Sequence, residues 1–119
     1  MARNTITESE YEIMKILWKA ADALTLGEIM AHLDTQWTRN TVGTLLTRLC
    51  EKGIISIKKR GKSNLYYPML KENDYSMSET RSFLSKLFDG SVGNLIASLF
   101  ENKELSDTDI EELKKIINR

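Results

Sequence analysis

TRNTVGTLLTRLCEKG, residues 38–53, is the stretch on which the fold turns. Val42, Leu45, Leu46, Leu49 and Cys50 fall at i, i+3, i+4, i+7 and i+8, the repeat of a single apolar helix face. Thr38 has the chemistry of an N-cap, and Gly53 suits the left-handed residue that ends a helix. The helix is therefore bounded at both ends. Its opposite face carries Arg39, Asn40, Thr41, Gly43, Thr44, Thr47 and Arg48. Exposed threonines lower helix propensity, a cost that contacts to another molecule would offset. These side chains suit a DNA major groove: Asn pairs with adenine, Arg with guanine, Thr offers a hydroxyl and a methyl to thymine, and Gly43 lets the backbone approach. The competing reading is an ordinary solvated helix face.

After Gly53 the period changes from helical to about two. Ile54, Ile55 and Ile57 lead into Lys58, Lys59 and Arg60, then Gly61-Lys62, then Leu65-Tyr66-Tyr67. This predicts a β-hairpin with a basic tip, ended by Pro68, whose missing N–H suits the end of an edge strand. Lys58, Lys59, Arg60 and Lys62 can reach phosphates there, although a lysine-rich hairpin by itself also serves as edge protection against aggregation. Upstream, Thr7-Glu8-Ser9-Glu10 has capping-box spacing before Tyr11, Met14, Leu17, Trp18 and Ala21, predicting a helix over 7–21. Thr25-Leu26-Gly27-Glu28 repeats the box ahead of Ile29, Met30 and Leu33, a short second helix. Three helices followed by a basic hairpin is the order of a winged helix-turn-helix module. Trp37, just before the third helix, either packs beneath it or turns its ring edge and N–H toward a phosphate.

From Asp74 onward the strand signals vanish. Ser76-Met77-Ser78-Glu79 reads as a capping box ahead of Phe83, Leu84, Leu87 and Phe88; Asp89-Gly90 breaks that helix. A fifth helix carries Leu95, Ile96, Leu99 and Phe100, and Ser106 caps a sixth with Ile110, Leu113, Ile116 and Ile117. Three short helices rarely enclose that much apolar surface. A second copy of the chain is the simplest cover, so Phe83, Leu84, Leu87, Phe88, Leu95, Ile96, Leu99, Ile110, Leu113, Ile116 and Ile117 are candidate dimerisation residues. The expected fold is thus mainly α with a small β-hairpin: a winged-helix domain over 1–71, and a helical dimerisation arm over 72–119.

The formal net charge is zero, but its distribution is uneven. Residues 1–71 hold 11 Lys/Arg against 7 Asp/Glu, and 72–119 hold 6 against 10. Because salt confines each charge to about 8–10 Å, a local basic footprint matters more for phosphate binding than the sum over the chain. The longest mostly apolar runs, residues 53–57 and 95–100, fall far short of the roughly 20 residues of a membrane span. The opening MARNTITESE lacks the apolar stretch of an export signal, so a cytoplasmic location is expected. Cys50 is the single cysteine and His32 the single histidine; neither finds partners for a metal site, and no metal or cofactor is expected. No nucleophile, base and orienting acid assemble, nor does a Gly-rich phosphate loop occur. An enzyme is not expected.

The run EYEIMKILW over Glu10–Trp18, with Trp37, Thr41-Val42, Thr44 to Leu49, Lys52-Gly53 and Tyr66-Tyr67-Pro68, resembles the penicillinase and methicillin-resistance repressors (BlaI/MecI), a family that includes the copper repressor CopY. The likeness runs from about Thr5 to Arg119. Its ending, Leu105-Ser106 through Ile110-Glu111-Glu112-Leu113, is similar to the β-lactam branch. The resemblance implies a homodimer on a palindromic operator that blocks transcription of a resistance gene. It also implies a membrane sensor-protease system acting indirectly, with release of the DNA by proteolysis in the dimerisation arm. The family's scissile Asn-Phe is absent here: Leu99 precedes Phe100, and Lys103 follows Asn102. Leu99 and Phe100 thus mark a candidate cleavage region. The cysteine-rich ending of the copper branch is also absent. Two further readings stay open on the residues alone, a winged helix used for protein interaction and a repressor released by a small-molecule effector.

Overall fold

Each of the first three helices starts at a threonine. In a computed structural model, which describes residues 5–119, the Thr7 hydroxyl accepts from the Glu10 N–H at 3.1 Å while the Glu10 carboxylate accepts from the Thr7 N–H at 3.0 Å. Thr25 and Glu28 repeat this reciprocal cap, and Thr38 accepts from the Thr41 N–H at 3.2 Å. Each cap satisfies backbone donors that a helix start leaves without partners. The helices that follow are α1 (Glu8–Lys19), α2 (Leu26–Ala31) and α3 (Arg39–Glu51). α3 stops as its sequence predicts. Gly53 adopts φ 76°, and the N–H groups of Gly53 and Ile54 return to the carbonyls of Cys50 and Leu49, both at 3.0 Å.

The chain then forms the antiparallel pair β1 (Ile55–Arg60) and β2 (Ser63–Pro68), in register from Ile55 opposite Pro68 to Arg60 opposite Ser63. Gly61, at φ 63°, makes the turn. α4 (Glu72–Phe88), α5 (Val92–Glu101) and α6 (Asp107–Ile117) complete the chain. It divides into two compact units, the first ending at Tyr75 and the second covering Ser76–Arg119. The division falls inside α4. Residues 1–4 of the expected first domain lie outside the described residues.

In the N-terminal unit, Ile13, Met14 and Leu17 of α1, Ile29 of α2, and Val42, Leu45, Leu46 and Leu49 of α3 meet Ile54 and Ile55 in one dry core. Each side chain so enclosed contributes roughly 1.5–3 kcal/mol relative to exposure. One charge is enclosed with them. Glu10 is 1% exposed and pairs with the Lys52 ammonium at 2.6 Å, which also donates to the Thr5 carbonyl at 3.0 Å. Burial pushes the Glu10 carboxyl upward, but Lys52 and the Thr7 N–H outweigh it and hold the group below its ordinary value.

Three expectations need correcting. The first helix ends at Lys19, not residue 21, because Ala20 turns to extended backbone (φ −74°, ψ 139°) and leads the chain toward the sheet. There Leu24 exchanges both backbone hydrogen bonds with Tyr66, at 3.0 and 2.7 Å, and acts as a one-residue third strand. Ala21 is exposed, whereas Ile13 fills the core position. Second, Ser76-Met77-Ser78-Glu79 is not a helix start. α4 already begins at Glu72, with Glu72 and Asp74 placing negative charge in its first turn. Ser76 lies inside it and its carbonyl accepts from the Thr80 hydroxyl at 2.7 Å. Third, Cys50 is half-buried at the margin of the core rather than within it.

The C-terminal unit is put together differently. Ser91 caps α5, and Ser106 forms a capping box with Asp109 at the start of α6. Its most enclosed side chain is Leu84, 8% exposed. Phe88, Leu95, Ile96, Leu99, Ile110 and Leu113 are half-buried, while Phe83, Leu87, Val92, Phe100, Ile116 and Ile117 are exposed.

Candidate nucleic-acid interface

With Val42, Leu45, Leu46 and Leu49 locked into the core, the helical repeat turns the other side of α3 outward. Arg39, Asn40, Thr41, Thr44, Thr47 and Arg48 are all exposed, with Gly43 half-buried between them. The hydroxyls on this face are already oriented. Thr44 donates to the Asn40 carbonyl at 2.9 Å and Thr47 to the Gly43 carbonyl at 3.0 Å. What these two side chains offer outward is a methyl group and an acceptor oxygen. Thr41 differs, because its hydroxyl accepts from Thr38 at 3.1 Å and keeps its own hydrogen to donate. A Cβ built at Gly43 would meet Leu26 at 3.8 Å, an ordinary contact. Among the described residues nothing demands glycine there.

Arg39, Asn40, Gly43, Thr44, Thr47 and Arg48 line one open concavity together with Leu26, Glu51 and Tyr66. Sequence reasoning missed the last three as members of this surface. Tyr66 arrives there through the Leu24 bridge, a pairing between residues far apart in the chain that leaves no local signal.

Beside α3, the hairpin carries Lys58, Lys59, Arg60 and Lys62, all exposed. Strand alternation sends Lys58 and Arg60 to one face and Lys59 to the other. Among the described residues, none of these four, nor Arg39 or Arg48, enters a salt bridge. Arg60 nevertheless lies close enough to Glu28 to help hold that carboxyl below its ordinary value, after the Thr25 N–H, which is the main cause. Lys52, at the end of α3, is half-buried and engaged by the Glu10 carboxylate and the Thr5 carbonyl instead. The result is a surface that concentrates positive charge on two adjoining elements.

Trp37 packs against the core. His32 caps the end of α2 and is exposed. Burial, followed by the nearby Glu51 carboxylate, pushes the Cys50 thiol up, the opposite of what a reactive cysteine needs. Among the described residues no group of acidic, cysteine or histidine side chains could hold a metal, and no helix is long and apolar enough to cross a membrane. In the C-terminal unit Leu99 is half-buried and Phe100 is 63% exposed, both in the last turns of α5. Of the candidate dimerisation residues, Phe83, Leu87, Ile116 and Ile117 stand outward, whereas Leu84 is spent within its own unit. Val92, which is 58% exposed, is a further outward apolar side chain that the sequence reading did not single out. It precedes a glycine and an asparagine, which hide the apolar repeat at the start of α5.

Known proteins are similar to this chain over most of its length. The methicillin resistance regulatory protein MecI of Staphylococcus aureus (strain N315) is 34% identical over 116 residues, spanning 96% of this chain and 94% of its own. The penicillinase repressor of Bacillus licheniformis is 32% identical over 114 residues, 94% of this chain and 88% of its own. The solution structure of monomeric Bacillus licheniformis BlaI in complex with the blaP half-operator superposes with a TM-score of 0.52 at 33% identity, covering 60% of this chain and 88% of that one. The family model described as penicillinase repressor matches residues 6–119. This chain is a member of the penicillinase repressor family, and so stands among repressors rather than enzymes.

Proposed function

We propose that the chain is a homodimeric transcriptional repressor of the cytoplasm that binds a palindromic operator and controls β-lactam resistance genes. The observation that carries this reading is the outward face of α3. Arg39, Asn40, Thr41, Thr44, Thr47 and Arg48 stand exposed on a helix whose other side is locked in the core, and among the described residues neither Arg39 nor Arg48 enters a salt bridge. Thr44 and Thr47 present methyls suited to thymine, Arg39 and Asn40 present donors suited to base edges or phosphates, and Gly43 leaves room for close approach. Lys58, Lys59, Arg60 and Lys62 hold phosphates from the wing, giving affinity without sequence preference. A relative that is 33% identical over 60% of this chain has been seen on a half-operator, which supports the assignment.

Residues 1–71 form the DNA-binding domain and 72–119 the dimerisation arm in this reading. Phe83, Leu87, Ile116 and Ile117 meet a second copy, while Leu84 and the half-buried Phe88, Leu95, Ile96, Leu99, Ile110 and Leu113 support that surface from behind. Pairing holds two half-sites at once, which raises affinity about 10²–10⁴-fold over a single module. Cleavage near Leu99 and Phe100, induced by a membrane sensor-protease system, would detach α6 and release the operator. A protease would have to unwind the end of α5 to reach that bond.

The test is fluorescence anisotropy on the operator and on random duplex. Thr44→Leu should weaken operator binding by about tenfold and leave random DNA unchanged. Lys59→Ala should weaken both alike and lower the salt slope by about one. Equal losses on both duplexes for Thr44→Leu would remove that residue from base reading.

A further inference from the structure

Two aromatic residues of α1 and one of α4 form a cluster that the DNA-facing surface does not use. Tyr11 and Trp18 meet edge to face, with ring centres 6.1 Å apart at 68°. Tyr75 closes the triangle at 6.0 Å from Tyr11 and 5.8 Å from Trp18. The backbone beneath is fastened as well. The Trp18 indole N–H donates to the Leu70 carbonyl at 2.9 Å, and the N–H groups of Met69 and Leu70 both reach the Ile54 carbonyl, at 2.8 and 3.1 Å. All of these groups belong to the N-terminal unit, and Tyr75 is its last residue. The segment from the end of β2 to the first turn of α4 is therefore anchored at both ends, by hydrogen bonds to backbone at one and by edge-to-face and tilted ring contacts at the other.

Such anchoring exceeds what a connector needs. A bare loop would join β2 to α4 at less cost in conformational entropy. Three rings in edge-to-face and tilted contact resist bending where the chain leaves the unit. Bending there matters for a protein that reads two half-sites. One added base pair shifts a half-site by about 3.4 Å along the duplex and turns it by roughly 35°. A stiff root rejects that change, whereas a pliant one absorbs it.

We propose that Tyr11, Trp18 and Tyr75 are positioning residues that set the operator spacing the dimer accepts. The clasp contacts no base. It acts by stiffening the root of α4, and it rests on the reading of the chain as a dimeric operator-binding protein.

The test begins by selecting an inverted repeat from a random duplex pool with the full-length chain. The spacing between its halves is then varied by one and two base pairs, with a single half-site as control. Wild type should prefer the selected spacing strongly. Tyr75→Ala and Trp18→Phe, the second losing only the indole N–H and part of the ring, should bind the single half-site as wild type does. On the selected spacing they should lose about tenfold, and their preference between spacings should flatten. Tyr11→Phe, which keeps the ring in the clasp, should hold the wild-type preference. A wild-type preference retained in both Tyr75→Ala and Trp18→Phe, with half-site binding intact, would overturn the role of the clasp while leaving operator binding standing. Recovery of no inverted repeat would instead remove the dimeric reading, and the clasp proposal with it.

Discussion

The two units of this chain handle apolar side chains in opposite ways. The N-terminal unit turns ten of them into one core drawn from three helices and a hairpin, admits the Glu10 carboxylate beside them, and leaves its basic groups on the hairpin and the outer face of α3 exposed. The C-terminal unit has Leu84 as its most enclosed side chain and leaves Phe83, Leu87, Val92, Phe100, Ile116 and Ile117 exposed. The hydrophobic effect acts on both alike, so the difference lies in what each can cover. Three helices and a sheet enclose a volume; three short helices present faces. The first unit encloses a core of its own, and the second leaves apolar faces outward.

Substitution should expose that contrast most strongly in the core. Leu46→Ala, at 1% exposure in the N-terminal unit, should cost about 2–5 kcal/mol in chemical denaturation. Ile117→Ala, at 77% exposure, should leave the unfolding of a dilute sample within about 0.5 kcal/mol. Similar losses at the two positions would mean that the units are not different in kind.

Next in size is a charge placed on the outward face of the C-terminal unit. Leu87→Glu should weaken self-association about a hundredfold, roughly 2.7 kcal/mol, read by light scattering across a dilution series. The winged helix should keep its thermal transition. Unchanged association would move the covered surface away from α4.

A smaller effect tests the one charge that the dry core admits. Lys52→Ala leaves the Glu10 carboxylate without its partner, and because the Lys52 side chain is 29% exposed the cost should be about 2 kcal/mol, below that of a wholly enclosed pair. The sign with pH follows from the lowered pKa. Glu10 contributes its stability above its ordinary value of 4.5 and loses it as the pH falls through the lower value held in the fold. The gap between wild type and Lys52→Ala should hold from pH 7 to 5 and narrow below 4.5. A gap independent of pH would assign the loss to the packing of the lysine stem instead.

These contrasts also explain which parts of the molecule were legible in the residues. α3 was readable because everything that defines it is local: a capping threonine, an apolar repeat and a glycine stop. The outward residues of the candidate interface followed from the same repeat. What was misread depends on partners distant in sequence. Nothing around Ala20 and Ala21 announces that Leu24 pairs with Tyr66, so the helix was extended two residues too far. Glu10 looks like a capping residue alone, yet its burial depends on Lys52, 42 positions away. Ser76 to Glu79 has the letters of a cap, but a helix already started at Glu72 passes straight through them. The outward stance of Phe83, Leu87, Ile116 and Ile117 against the enclosure of Leu84 could not be ranked from periodicity, since all five lie on apolar repeats.

The central claim is that the exposed apolar faces of the C-terminal unit are covered by a second copy, so that two reading helices are displayed together. Sedimentation equilibrium of the full-length chain at micromolar concentration tests it most directly. The account predicts a mass of twice 13.7 kDa; a single species at 13.7 kDa across that range would contradict it.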